Sequence, residues 1–420
     1  MKVVVAHPEQ QHSLKTAEAL YSRGFLKGYL TTVYLAKGSL TKGLSRFLPA
    51  RYRVKAAGRR SDLIPDKLVT QYCELQALVK LFCQNISPFR GFYNEIRYRN
   101  ADNFAVKAAQ YAISVEADIV IGFDNTSPLL YEILEREAPH IIRVQDMTAL
   151  NTLYMKPIYE RDFILKPDFS EMLRAEQFRV WDEGQLERKR RELSSAQYFL
   201  CASNVARESL MFSGVGADRC ILLPYGIDAD AFPYVGCRAA DGPVRFVYVG
   251  GTKELKGIAY LLDAFMGVNP SLARLTVVGA DTLPANLRSR YSGRIDFVGS
   301  IPHLRLPEFL GKMDVMVFPS LGDGFGFAAL EGMSCGLPLI CTDKAGVSDL
   351  IEEGVNGYVI PAQDEGAIVD KALNYVSDPQ LIKSMGAEAR KTAETYTWER
   401  YGDSLCGILE NLTKGTISHE

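Results

Sequence analysis

Short continuous runs of Val, Ile and Leu recur along the chain, separated by longer amphipathic stretches, and this alternation predicts its elements. In the first half, strands are expected at Val3–Ala6, Thr32–Leu35, Asp118–Gly122, His140–Gln145, Gln197–Cys201 and Ile221–Leu223. In the second half they are expected at Arg245–Val249, Arg274–Gly279, Ile295–Val298, Asp314–Phe318, Pro338–Cys341 and Gly357–Ile360. Most of these runs are apolar throughout rather than at every second position, which is the pattern of parallel strands covered by helices on both faces. Helical periodicity falls between them, as in Gly257–Phe265, Leu306–Lys312, Gly366–Val376 and a last segment, Trp398–Leu412. The expected architecture is α/β, with two doubly wound, Rossmann-like domains facing each other across a cleft. Pro224, Pro233, Gly236, Gly242 and Pro243 punctuate a stretch without periodicity. The first domain is therefore expected over 1–222, a linker over 223–243 and the second domain over 244–396. A final helical segment, 397–420, would return to the first domain.

The length of 420 residues agrees with two cores rather than one. With 47% apolar and 23% charged residues, the composition excludes disordered and fibrous classes. No apolar run approaches the roughly 18–20 residues needed to span a bilayer. The segment Met1-Lys2-Val3-Val4-Val5-Ala6-His7-Pro8 reads as a buried strand rather than a signal peptide, so a cytoplasmic setting is expected. Eight scattered cysteines form no CxxC pair, and free thiols are expected. The net charge of −2 conceals a polarity. Residues 1–115 carry 18 Lys and Arg against 7 Asp and Glu, so the amino-terminal region is suited to something anionic.

The densest chemistry lies in Phe318-Pro319-Ser320-Leu321-Gly322-Asp323-Gly324-Phe325-Gly326-Phe327, followed by Glu331. A strand ends there, a glycine-rich turn follows, and a helix opens near Gly326. Backbone N–H groups at such a turn, backed by the helix dipole, form a site for a phosphate or a polar sugar. The same pattern also fits a buried turn whose acids only cap and solvate it. A second loop, Val249-Gly250-Gly251-Thr252-Lys253-Glu254-Leu255-Lys256-Gly257, follows the first strand of the second domain. Its glycines allow close backbone approach, and Lys256 can supply a positive charge to a diphosphate.

These residues resemble the retaining glycosyltransferases of family 4, which have the GT-B fold. Asp323 to Glu331, with Gly332-Met333-Ser334-Cys335-Gly336-Leu337-Pro338 after it, is similar to the family's Glu-x7-Glu element and its Ala-x-Gly-x-Pro continuation. Ala345–Ile351 and Gly354-Val355-Asn356-Gly357 resemble the Gly-x-x-Glu-x-Ile and Asn-Gly segments. Pro224-Tyr225-Gly226-Ile227-Asp228 resembles the family's linker strand, and Tyr396-Thr397-Trp398 the opening of its final helix. The likeness is specific over residues 195–405 and looser over 1–190.

The resemblance implies a donor site and roles for its residues. Asp323 and the backbone of Gly324, Phe325 and Gly326 would hold the sugar hydroxyls and β-phosphate of a nucleotide-sugar. Glu331 would bind the ribose, and Lys256, beside Gly250 and Gly251, would neutralise the diphosphate. The base would lie against the loop Phe297-Val298-Gly299-Ser300-Ile301, with Val298 and Gly299 in contact. On the acceptor side the candidates are His12, Asp124 and Gln145. No metal and no cofactor are implied beyond the nucleotide-sugar itself. The chain departs from the family at three of these places: Asp323 is one methylene shorter than Glu, Gly251 replaces an Arg, and Gln145 replaces a His. The glycine-rich loop expected after the first strand is also replaced by Pro8-Glu9-Gln10-Gln11-His12-Ser13.

From Gly38 to Ser61 there is no acid, while Lys42, Arg46, Arg51, Arg53, Lys55, Arg59 and Arg60 supply seven positive charges. Leu40, Leu44, Phe47 and Leu48 share one helical face before Pro49. An interfacial helix meeting an anionic membrane surface through 40–60, or the pyrophosphate of a lipid-linked acceptor, is the functional expectation. An ordinary helix with solvated arginines is the other. Nucleic acid is not an expected partner, since aromatics are few there and the isoelectric point is about 6.3. The expected function is transfer of a sugar from a nucleotide-sugar to an oligosaccharide or lipid-linked acceptor. A sugar-nucleotide epimerase and a non-catalytic nucleotide-sugar-binding subunit are the rivals.

Overall fold

The computed structural model describes residues 1–9, 12–45, 58–85, 93–234 and 242–415, without the side chains of 82–85, 93–95 and 178–179. Two parallel sheets form the frame. The first contains β1 (Val3–Ala6), β2 (Leu26–Thr31), β3 (Val69–Gln71), β4 (Ile119–Phe123), β5 (Ile142–Met147), β6 (Tyr198–Cys201) and β7 (Cys220–Leu222), in the order β3-β2-β1-β4-β5-β6-β7. The second contains β8 (Val244–Val249), β9 (Ala273–Val278), β10 (Asp296–Gly299), β11 (Val315–Phe318), β12 (Leu339–Thr342) and β13 (Gly357–Ile360), in the order β10-β9-β8-β11-β12-β13. In both sheets the chain starts in the middle, winds outward and then reverses, so each has a switch point beside its first strand. At that point the connecting loops diverge and leave a crevice at the carboxyl ends of the strands.

The uninterrupted apolar runs place both faces of these strands in the core; Val3, Val4 and Val5 are all buried, as are Val315, Met316 and Val317. Eleven of the twelve expected strands lie within a residue or two of their observed positions. The exception is the second. β2 is Leu26–Thr31, not Thr32–Leu35, because its pairing with β1 starts at Leu26 and Lys27 is the one exposed position in it. Val33 and Tyr34 are buried but lie in the loop beyond the strand end. The edge strand β3 has no continuous apolar signal: it is only Val69-Thr70-Gln71, half-buried, paired with Tyr29–Thr31.

After β7 the linker crosses to the second sheet. Ile227 bridges to Thr397, and the Ile227 N–H donates to the Tyr396 carbonyl at 2.8 Å. Asp228 and Asp230, an Asp-x-Asp pair in sequence, are exposed around a single 3-10 turn, Ala229–Ala231. The final helix, Trp398–Lys414, packs on the first-domain helix Ser13–Ser22. Arg23 Nε donates to Asp403 at 2.9 Å, and the Thr16 and Tyr401 hydroxyls are 3.0 Å apart. The six cysteines with described environments are unpaired.

The two sheets are joined by a polar seam. Lys166 donates to Asp263 (2.6 Å) and Glu365 (2.7 Å), Arg290 meets Asp168 (2.6 Å), and the Asn204 N–H donates to Asp349 (2.6 Å). Deeper in, Tyr260 donates to Asp162 Oδ1 at 2.7 Å, and Glu176 and Glu254 lie beside it. Asp162 Oδ2 and Glu254 Oε1 are buried without a hydrogen-bond partner among the described residues. Burial raises the pKa of all three acids, that of Asp162 to about 6 and that of Glu254 well above the usual carboxylate range.

This cluster predicts the sign of one pH effect. A carboxyl whose pKa is higher folded than unfolded binds its proton preferentially in the native state, so its contribution is full below the unfolded pKa of 3.8 and disappears as pH rises through about 6. Asp162→Asn keeps the acceptor for Tyr260 and removes the titration. It should raise the melting temperature at pH 8 but not at pH 4, with a difference of up to ~3 kcal/mol between the two. Thermal unfolding of both chains across that range measures it; parallel curves would show that Asp162 is ionised in the native state throughout.

Candidate functional site

The two loops singled out in the sequence meet at the carboxyl ends of β8 and β11, next to each other in the second sheet. After β8, Gly250 donates its N–H to Val278 and the chain enters a 3-10 turn, Glu254–Lys256. After β11, the turn Ser320–Gly326 leads into the helix Phe327–Ser334. Gly326 caps that helix with φ +99°, a left-handed conformation that a side chain would strain. Across the two loops Lys256 Nζ is ion-paired with Asp323 Oδ2. The other carboxylate oxygen, Asp323 Oδ1, accepts the Phe325 N–H at 3.1 Å, so the acid also shapes its own turn. The Asp323 N–H donates to Lys344 and the Gly346 N–H to the Asp323 carbonyl, tying the turn to the next strand-end loop.

The first domain closes over this pair. A Cβ on Gly324 would lie 2.6 Å from the Thr148 carbonyl oxygen and 3.2 Å from Ala149 Cα, so only glycine permits the approach. The Ser203 hydroxyl donates to the Gly324 carbonyl at 2.8 Å. Glu176, from the first-domain helix Ser170–Glu176, accepts the N–H groups of Leu255 (3.1 Å) and Glu254 (3.3 Å). That carboxylate holds the turn carrying Lys256 from the opposite domain. The resulting cleft, about 200 Å³, is lined by Lys256, Asp323 and Gly324 on one side and by Thr148, Leu150 and Tyr159 on the other.

Glu331 stands in the helix Phe327–Ser334, with His303 Nε2 2.9 Å from its Oε1. Burial raises its pKa and the histidine opposes that shift. His303 follows the loop Phe297–Ile301, so Glu331 and the expected base-binding loop are neighbours. In that loop Val298 is exposed and Gly299 has φ +72° with open space around it. The Arg288 guanidinium lies 3.8 Å from the Phe297 ring centroid, a cation–π contact that stiffens the loop's base. At Gly251 a Cβ would meet nothing closer than 3.6 Å, and Lys253 carbons pass 3.8 and 3.9 Å away. Lys253 therefore runs alongside the position where the family carries an arginine.

The acceptor-side candidates are placed differently. Gln145 is fully buried in β5, and neither amide atom has a hydrogen-bond partner among the described residues. It is not at the cleft, because side chains alternate along a strand and Gln145 shares its face with the core residue Met147. Asp124 is also withdrawn: it is ion-paired with buried Lys189 and accepts from the Asn125 amide. Glu192 completes that cage, accepting from Lys189 (3.1 Å) and from the N–H groups of Asn125 and Ser127, both at 3.0 Å. These interactions order the turn after β4 rather than offer a free carboxylate. His12 has its Nε2 2.9 Å from Asp146 Oδ2, and its ring is enclosed by Phe123 and Tyr225. Tyr225 of the linker donates to the other Asp146 oxygen at 2.6 Å and stacks on Phe327, ring centroids 5.4 Å apart. This chain of contacts connects the first domain, the linker and the helix Phe327–Ser334.

The residues that sequence reasoning missed are Glu176, His303 and the Thr148–Leu150 wall. His303 was readable only as an isolated histidine. Glu176 lies in an ordinary amphipathic helix, and nothing in its neighbourhood marks it. Of the basic stretch, Arg46, Phe47, Leu48, Pro49, Arg51, Arg53 and Lys55 lie outside the described residues. Within the short helix Leu40–Ser45, Leu40 and Leu44 are exposed. No helix among the described residues is long and apolar enough to cross a membrane.

Residues 243–378 match the family model described as Glycosyl transferases group 1. A glycogen synthase of Mycobacterium tuberculosis is 24% identical over 227 residues, covering 51% of this chain and 54% of that protein. A GDP-mannose-dependent alpha-(1-6)-phosphatidylinositol dimannoside mannosyltransferase of the same species is 28% identical over 233 residues, covering 52% and 58%. The chain thus spans about half the length of the curated relatives it matches. A sucrose-phosphate synthase from Thermosynechococcus elongatus superposes over 99% of this chain and 100% of its own, with a TM-score of 0.68 at 17% identity. Two parallel sheets facing across a cleft give this chain the GT-B fold, and the segment that matches the glycosyl transferases group 1 model forms the second of them.

Proposed function

We propose that the chain is a retaining glycosyltransferase that moves a sugar from a nucleotide-sugar to a glycan or lipid-linked acceptor, in cell-surface polysaccharide biosynthesis. The observation that carries this reading is the Lys256–Asp323 pair, held between two strand-end loops and roofed by Thr148–Leu150 of the other domain. Such a cleft brings a cation, a carboxylate and backbone N–H groups to one partly buried place, where their electrostatic effect is stronger than in bulk water. The names of the relatives, which include a mannosyltransferase and a glycogen synthase, point the same way.

In this reading Asp323 receives donor-sugar hydroxyls, Glu331 the ribose, and the amides of Gly324–Gly326 the β-phosphate. This reading assigns no nucleophile to the protein. The acceptor hydroxyl attacks the anomeric carbon from the face the diphosphate leaves, and a departing phosphate oxygen takes its proton. Lys256 stabilises the charge growing on that leaving group, work required in the transition state more than in the ground state. No metal is required. The first-domain contact through Glu176 sets where the Lys256 charge lies.

Four outcomes are expected. Glu331→Ala should weaken nucleotide-sugar binding by about tenfold or more, since hydrogen bonds to a charged acceptor are worth about 1.5–3 kcal/mol each. Lys256→Ala should lower kcat more than it raises KM; calorimetry and initial rates over UDP-, GDP- and dTDP-sugars measure both. Unchanged affinity and turnover in both variants would refute the site. Transfer should persist in EDTA, and dependence on added Mn²⁺ or Mg²⁺ would displace Lys256 from its role. Finally, Gly251→Arg should fold normally, given the open space there, and should raise kcat/KM by adding the second cation. An epimerase would instead interconvert the donor sugar without acceptor, and a binding subunit would show affinity without turnover in any of these assays.

A further inference from the structure

A second cleft lies in the first domain, away from Lys256 and Asp323. It opens at the carboxyl ends of β1, β2 and β4, at the switch point of the first sheet, where α/β proteins place ligands. A cavity of about 130 Å³ is lined by Glu9, Thr32, Arg59 and Lys80, and a smaller hollow beside it by Arg97 and Asn100. Lys80 donates to Glu9 Oε1 at 2.8 Å with its side chain only 8% exposed, and Arg97 Nε lies 3.6 Å from the same oxygen. Arg59 also faces Glu9 electrostatically and has no ion-pair partner within 4 Å among the described residues. Burial lowers the Arg59 pKa, so its charge is incompletely compensated. Burial also acts to raise the Glu9 pKa, but Lys80 and Arg97 overcome it and hold the carboxyl at about 2. Three cations thus share one permanently ionised carboxylate. Asn100 is buried, and its Oδ1 has no hydrogen-bond partner among the described residues.

An excess of two positive charges around a partly buried carboxylate is costly, and an anion sharing it would relieve the cost. We propose that this cleft is the acceptor subsite for a phosphate group, whose oxygens are taken by Arg59 and Lys80, with Asn100 serving a neighbouring hydroxyl. The acceptor part of this inference rests on the transferase reading; the binding of phosphate does not. A phosphorylated sugar and a lipid-linked diphosphate present the same chemistry to these cations. Glu9 competes with the ligand for Lys80 and Arg97, which sets the direction of its own variant.

Binding measured without any donor separates this inference from the transferase reading. Calorimetry at low salt, with inorganic phosphate, pyrophosphate and farnesyl diphosphate as probes, should give a dissociation constant that Arg59→Gln weakens by about tenfold or more. Lys80→Met should do the same, and Glu9→Gln should tighten binding, while nucleotide affinity stays at the wild-type value in all three. Where Lys80→Met fails to fold by circular dichroism, Arg59→Gln, at a less buried position, decides alone. Farnesyl diphosphate binding more tightly than pyrophosphate would assign a lipid-linked source, and equal binding a soluble one. Phosphate affinity unaltered by Arg59→Gln, or weakened by Glu9→Gln, would overturn the proposal. Under the transferase reading, Arg59→Gln should also raise KM for a phosphorylated acceptor and leave KM for a neutral alkyl glycoside unchanged.

Discussion

The cleft depends on one carboxylate reaching across from the other domain. Glu176 accepts the N–H groups of Glu254 and Leu255, and these are the residues immediately before Lys256. A 3-10 turn of three residues has little stability of its own, so its geometry is set by whatever satisfies its free donors. Here the first domain does so. Lys256 in turn is paired with Asp323, which accepts its own Phe325 N–H and so sets the turn on which the next helix begins. One hydrogen-bonded path therefore runs from a first-domain helix, through the cation, to the glycine-rich loop. Burial raises the pKa of the acids Asp162 and Glu254 beside that path, and the nearby Lys166 charge acts against that shift.

The second constraint is steric. Gly324 permits the glycine-rich turn to lie against the Thr148–Ala149 backbone, and the Ser203 hydroxyl joins to it from the first domain. Any larger residue at 324 would hold the domains apart by the width of a side chain. The aromatic chain from Phe327 through Tyr225 to the Asp146–His12 pair closes the same seam from behind. Hydrogen bonds to Asp146 orient both rings, so its buried carboxylate is shared between the linker and the first helix. The contacts that shape the cleft thus come from both domains and from the segment between them.

The first domain has two regions of polar chemistry at its strand ends, and they differ in kind. Around Asp124, Lys189 and Glu192 one buried lysine serves both carboxylates and every carboxylate oxygen accepts a hydrogen bond, which is the economy of a structural cage. Around Glu9, Arg59, Lys80 and Arg97 positive charge exceeds negative beside a cavity of about 130 Å³. The basic bias of residues 1–115 is expressed there as a local excess.

The sequence by itself determined the architecture and the two glycine-rich loops at the strand ends of the second sheet. Continuous apolar runs can be satisfied only by strands buried on both faces, and glycines after β8 and β11 are required wherever a strand end must turn tightly into a helix. Those signals are local, so Gly250, Lys256, Asp323 and Gly326 were legible without coordinates. Val69-Thr70-Gln71 was not, since an edge strand needs no apolar run, and its pairing with Tyr29–Thr31 defines it. The polar groups at the strand ends of the first domain were placed by tertiary structure. Whether Gln145 or Asp146 faces His12 depends on strand register, in which a shift of one residue exchanges the two faces. Glu176, His303 and the cations around Glu9 act through partners 78, 28 and 71 residues away, as in the pairs Glu176–Glu254, His303–Glu331 and Glu9–Lys80. Such separations leave no periodic trace in a chain; only the packing of the helices on the two sheets brings the charges together.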